Sequence, residues 1–150
     1  MIRKSISNRK ATLKKFMFLD HTADMGLIVY GKNLKKLFEN AGEAFFHLIT
    51  DLKKVRTKQA RKIEVRSECL DRLMVDWLNE LLYLHEVESL LFKKFVVEEV
   101  GQEGIKAKAW GEPYQDGVHV IKTGVKAATH HQIQVKKENN HWRAQVILDL

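Results

Sequence analysis

With 150 residues, 45% of them hydrophobic, one proline and 8 glycines, the chain is sized and composed for a single folded domain, not for a disordered or low-complexity segment. It holds no run of about 18 apolar residues, which excludes a helical membrane span, and its basic start, MIRKSISNRKATLKKF, lacks the apolar stretch of a secretory signal. The formal net charge of +7 favours acidic partners, nucleic acid the commonest among them, and the lone cysteine, Cys69, fits a reducing compartment, with the cytoplasm as the expected location.

Residues 1–15 are basic and carry no acid, so they are expected to form a flexible arm, with one domain over residues 16–150. The first strand is expected over residues 16–30, where Ala23, Met25, Leu27 and Val29 alternate with Asp24, Gly26, Ile28 and Tyr30. Gly31 then turns the chain and Asn33 is placed to cap a helix. Leu34, Leu37, Phe38, Ala41, Phe45 and Leu48 recur at steps of three and four, which predicts an amphipathic helix over residues 34–50. The run KKVRTKQARKIEVR (residues 53–66) sets seven bases against Glu64. It reads as a solvated loop and a short strand near residues 62–66, or as a contact for a polyanion.

A second helix follows from the stripe Leu70, Leu73, Met74, Trp77, Leu78, Leu81 and Leu82, with Ser67 as the expected cap. Cys69 is expected to pack against its neighbours and Trp77 to lie in the core. Strands are then predicted over residues 91–99, 104–111, 119–137 and 141–149, separated by turn chemistry at Gly101–Gly104, Pro113–Gly117 and Glu138–Asn140. In the third of these, His131 is expected among core residues. The order strand, helix, strand, helix, then several strands makes an α+β sandwich, two amphipathic helices packed on a mostly antiparallel or mixed sheet.

The densest polar cluster is Asp20-His21-Thr22-Ala23-Asp24-Met25-Gly26. Unbroken alternation would set Asp20, Thr22 and Asp24 on one strand face and His21 on the other. Aspartate is disfavoured inside strands. Either these side chains bond nearby backbone groups, or they serve a hard cation, which needs several oxygen ligands. The chain ends in Val146-Ile147-Leu148-Asp149-Leu150, where alternation puts Trp142, Ala144, Val146 and Leu148 on one face and Arg143, Gln145, Ile147 and Asp149 on the other. An ordinary solvated chain end is one reading of Asp149 and the α-carboxylate of Leu150. The other brings both beside Asp24, where three carboxylates would converge.

The phrases DHTADMG, DWLNELLYLHEVE, GEPYQDGVH, KAATHH and the terminal ILDL occur in the order and spacing of the archease family, which the chain resembles from residue 16 to residue 150. That resemblance implies metal ligands at Asp24, Asp149 and Leu150 for calcium or magnesium, with Asp20 and His21 as neighbours shaping the site. It implies no enzyme activity. The family assists the tRNA-splicing RNA ligase that joins 3′-phosphate or 2′,3′-cyclic phosphate ends to a 5′-hydroxyl, promoting transfer of GMP to the ligase and repeated turnover. Two departures stand out: family members commonly read KAVTYH where this chain has Lys126-Ala127-Ala128-Thr129-His130-His131, and Gly124 stands where an acid is common. Lys126 and His130 are further candidates to meet the partner or a phosphate. The charge also motivates a stand-alone tRNA-binding role through the two basic runs, and a chaperone-like module for an RNA-modifying enzyme is the third reading.

Overall fold

In the computed structural model, which describes residues 15–20 and 23–150, seven strands and two helices follow one another as β1 (Phe16–Asp20), β2 (Asp24–Gly31), α1 (Leu34–Ile49), β3 (Gln59–Arg66), α2 (Leu70–Glu88), β4 (Leu90–Gly101), β5 (Gly104–Pro113), β6 (Ala127–Glu138) and β7 (His141–Asp149). The strands form two sheets, β1-β2-β7-β6 and β3-β5-β4, and every pairing is antiparallel. The α+β expectation holds, with the sheets antiparallel throughout.

Both helices follow their apolar periodicity, and Asn33 caps α1 by accepting the Lys36 N–H at 2.9 Å. Each helix touches both sheets, α1 against β2 and β4, α2 against β6 and the β3-β5-β4 sheet. That placement buries more of α1 than one stripe, including Ala44, Phe46 and Ile49. Gly42 is needed there, because a Cβ would stand 2.9 Å from the Phe95 ring. Trp77 is fully buried, as expected, and its indole N–H donates to the Phe38 carbonyl at 3.0 Å, tying α2 to α1.

The helices also close two sheet edges with polar side chains. The Asn79 amide receives the Ala128 N–H at 2.8 Å and donates to the Ala128 carbonyl at 3.0 Å. Asp71 accepts the Val135 N–H on the same edge of β6, and Glu39 of α1 accepts the Val97 N–H on β4. An open strand edge templates aggregation and leaves backbone groups unpaired. Asn79→Ala should therefore cost about 2 kcal/mol of stability, because two part-buried backbone groups lose their partners. In urea titrations Arg72→Ala is the comparison: it removes only an exposed pair with Glu68 and should shift the free energy by less than about 0.5 kcal/mol. Equal effects would show that Asn79 does not hold the edge.

Several expectations are corrected. The single strand over residues 16–30 is two strands: the chain folds back between Asp20 and Asp24, setting Leu19 opposite Gly26 and Asp20 opposite Met25. The polar cluster therefore spans the end of β1 and the start of β2, and the alternation belongs to β2 alone. The strand expected from residue 119 begins at Ala127. Cys69, not Ser67, occupies the cap position of α2, makes no capping bond with its side chain and is exposed. His131 is exposed as well, because the β6–β7 register shifts between Thr129 and Gln134 and Gln132 adopts φ of 55°, which breaks the alternation assumed for it.

Candidate metal centre

Strand order brings the two ends of the domain together. β2 begins at Asp24 and β7 ends at Asp149, and the antiparallel register makes these two residues direct partners. Leu27 and Val29 of β2 and Ala144, Val146 and Leu148 of β7 face the core, fully buried. Asp24 and Asp149 are the opposite set by alternation, so both carboxylates project from the same outer face. Directly opposed Cβ atoms lie about 5 Å apart, within reach of one shared ligand. The Leu150 N–H donates to the Ala23 carbonyl at 3.4 Å and the Lys126 N–H to the Asp149 carbonyl at 2.7 Å, so the last residue and the start of β6 are tied to the same rim.

Asp24 is half-buried, and its Oδ1 is shut off from solvent without any hydrogen-bond partner. Among the described residues it is the buried side-chain polar atom left unsatisfied. Two like charges face one another and one bears a stranded oxygen, both unfavourable features that a cation between them would relieve. The donors are all oxygens, the set a hard divalent cation prefers. No group of three or more His, Cys, Asp or Glu side chains stands together among the described residues.

The other expected neighbours separate. Asp20 pairs with Met25, whose side chain packs against the core, so its register position is on the face opposite Asp24. His21 lies outside the described residues. Lys126 is exposed and adjoins the rim through its backbone, while His130 is exposed in the bulged stretch of β6 beyond Thr129. Met17, Leu19 and Ile147 share the outer face with the two aspartates, and Leu19 is 44% exposed. Clefts of about 630 and 530 Å³ lie elsewhere, at the β4–β5 hairpin and between α1 and β4. The two carboxylates stand where paired strands begin and end.

A second polar cluster joins two residues of the phrase GEPYQDGVH that no spacing rule pairs. Glu112 and His119, seven residues apart across a turn, are both 3% exposed and joined at 2.9 Å. The Arg56 N–H donates to Glu112 at 2.8 Å and the Arg56 guanidinium lies 3.5 Å from its other oxygen.

The model of the Archease protein family (MTH1598/TM1083) matches residues 16–150. Relatives named protein archease include one from Methanosarcina acetivorans, 45% identical over 141 residues that span 91% of this chain and 97% of that one. Another, from Sulfurisphaera tokodaii, is 35% identical over 140 residues, 92% of this chain and all of that one. Among solved structures, the solution structure of Methanobacterium thermoautotrophicum protein 1598 superposes with a TM-score of 0.80 at 40% identity, over 92% of this chain and 100% of that one. A Thermotoga maritima crystal structure, described as an archease and possible chaperone, shares the fold with a TM-score of 0.61 at 15% identity, over 94% of this chain and 100% of that one.

Proposed function

The chain belongs to the archease family, and from that premise we propose that it is an accessory protein which holds calcium or magnesium at Asp24, Asp149 and the α-carboxylate of Leu150 and promotes guanylylation of a tRNA-splicing RNA ligase. The observation that supports the reading most is the direct pairing of Asp24 with Asp149, together with the stranded Asp24 Oδ1. A cation held there would neutralise charge on nucleotide phosphates, the clamp role of metal ions in phosphoryl transfer. The protein's own contribution is placement. Asp24 and Asp149 sit on rigid, paired strands, Lys126 is fastened to the same rim by its backbone, and His130 stands on the exposed bulge of β6. Lys126 and His130 are the groups proposed to meet the ligase or a phosphate, and His21 to shape the rim. Such a set supplies ligands and charge but no nucleophile, so the protein acts as a cofactor of the ligase, in the cytoplasm, during tRNA splicing or RNA repair.

The test is transfer of GMP from GTP to the ligase, with this protein, its Asp24→Ala and Asp149→Ala variants, and a form extended by Gly-Ser beyond Leu150. Circular dichroism checks that each is folded. Wild type is expected to accelerate adduct formation and the two alanine variants to lose about a hundredfold of it or more, since even a group that only supports a metal ligand is worth about 10–100-fold. Folded variants that work as well as wild type would remove the cation from the mechanism and favour a chaperone-like role through surface contacts.

A further inference from the structure

The β3-β5-β4 sheet turns one face to the core and the other away from it. On β5 the inward residues Ile105, Ala107 and Ala109 are buried, so Lys106, Lys108 and Trp110 alternate outward. Register extends this outer face across both neighbours in three rows. Lys106 stands between Glu64 and Glu99, Lys108 between Lys62 and Val96, and Trp110 between Ala60 and Lys94.

The first row is balanced by its own acids. The second is not: Lys62 and Lys108 oppose one another directly on hydrogen-bonded strands, an arrangement in which like charges repel. Among the described residues no ion pair relieves Lys62, Lys94 or Lys108. In the third row the Lys94 ammonium stands 5.1 Å over the half-buried Trp110 ring, so one ring face is covered by a mobile cation that a stacking base would displace. The basic run before β3 joins the same end of the sheet, since the Lys58 N–H donates to the Gly111 carbonyl at 3.1 Å.

We propose that this outer face binds single-stranded RNA, with a base stacked on Trp110 and phosphates neutralised by Lys62, Lys94 and Lys108. An aromatic ring set among unpaired ammonium groups on an open sheet is the chemistry that receives an unstacked base and its backbone. An acidic peptide would satisfy the lysines and leave the indole without a partner, and a duplex offers no free base. The choice of RNA over single-stranded DNA rests on the function proposed above. The surface lies on a different sheet from Asp24 and Asp149, so the two can succeed or fail separately.

The experiment is fluorescence anisotropy of a labelled single-stranded RNA of about 12 nucleotides, titrated with the full chain in EDTA over a range of salt. Trp110→Leu should weaken binding about tenfold, and Trp110→Phe should retain most of it. The double variant Lys62→Gln with Lys108→Gln should lower the slope of log K against log salt by about 1.4. Lys35→Gln with Lys137→Gln, equal in charge and away from this face, should change affinity by less than about twofold. Four results would overturn the proposal: a distal pair as damaging as the face pair, a folded Trp110→Leu with unchanged affinity, duplex RNA bound as tightly as single-stranded, or polyglutamate competing as well as RNA. If Trp110→Leu does not fold, the exposed lysine variants and Trp110→Phe carry the test. Asp24→Ala should bind this RNA like wild type, so loss of guanylylation with RNA binding intact, or the reverse, tells which of the two readings has failed.

Discussion

Glu112→Ala is expected to lower the stability of the fold by about 3 kcal/mol, the upper range for leaving buried donors without their charged acceptor. Its buried carboxylate collects the Arg56 N–H, the exposed Arg56 side chain and the buried His119 ring. His119 Nδ1 accepts the Gln115 N–H at 2.9 Å, so the ring proton is on Nε2 and is donated to Glu112. Without the carboxylate, both donors are stranded. The damage should be local first. Residues 114–126 carry no strand and are pinned by this pair and by Thr50, whose hydroxyl donates to the Val120 carbonyl at 2.6 Å, while the Lys122 N–H reaches the Ile49 carbonyl at 2.7 Å. Hydrogen exchange of the Gln115 and His119 amides should rise in Glu112→Ala before global unfolding does.

The same carboxyl gives a pH signature. The Arg56 backbone N–H, then the His119 and Arg56 side chains, hold Glu112 below its ordinary value of 4.5, against desolvation pushing it up. A folded-state value below the unfolded one means the contribution is complete above about 4.5 and is lost as pH falls through the lower folded value. Between pH 6 and roughly 3, wild type should lose stability faster than Glu112→Gln, which has no such proton to take up. Parallel curves would show that the pair does not couple to folding.

What the chain discloses of this architecture depends on how local the cause is. The leucine stripe of α2 and the alternation of β7 emerge at Leu70–Glu88 and His141–Asp149 because each buries one face along its whole length. The stretch 118–121 also alternates and is no strand: Val118 and Val120 are exposed, the latter at 65%, since the path there follows distant partners on α1 and at Glu112. Tertiary anchoring overrides pattern in such loops. His131 was misplaced by a bulge, which no composition rule announces. At the carboxylate rim, the aspartates were visible as residues ill suited to strands. Their meeting was not, because it depends on β7 inserting between β2 and β6. Only the likeness of the phrases around Asp24 and Asp149 to a known family pointed to it. Glu112 and His119 both fall in the phrase GEPYQDGVH, but nothing in it pairs them, because a hydrogen bond across a turn has no period.

In EDTA, Asp24→Asn should raise the melting temperature, whereas adding calcium should raise that of wild type alone. Facing carboxylates on paired strands repel, so neutralising one should gain about 1 kcal/mol, worth roughly 2–4 °C in a chain of this size. A cation at about a hundred times its dissociation constant stabilises by about 2.7 kcal/mol, which wild type should show as a larger shift. The reversed order of stability, variant above wild type in EDTA and below it in calcium, separates a metal site from an ordinary destabilising pair: a mere repulsion is relieved by the variant but gives calcium nothing to bind. Asp149→Asn should behave like Asp24→Asn, since the register makes the two residues partners. Their effects in EDTA should not add, because once either charge is gone the repulsion is gone, and the double variant should be about as stable as each single one. Additive gains would mean that the carboxylates do not face each other across β2 and β7. A calcium shift preserved in both variants would put the cation elsewhere on the chain.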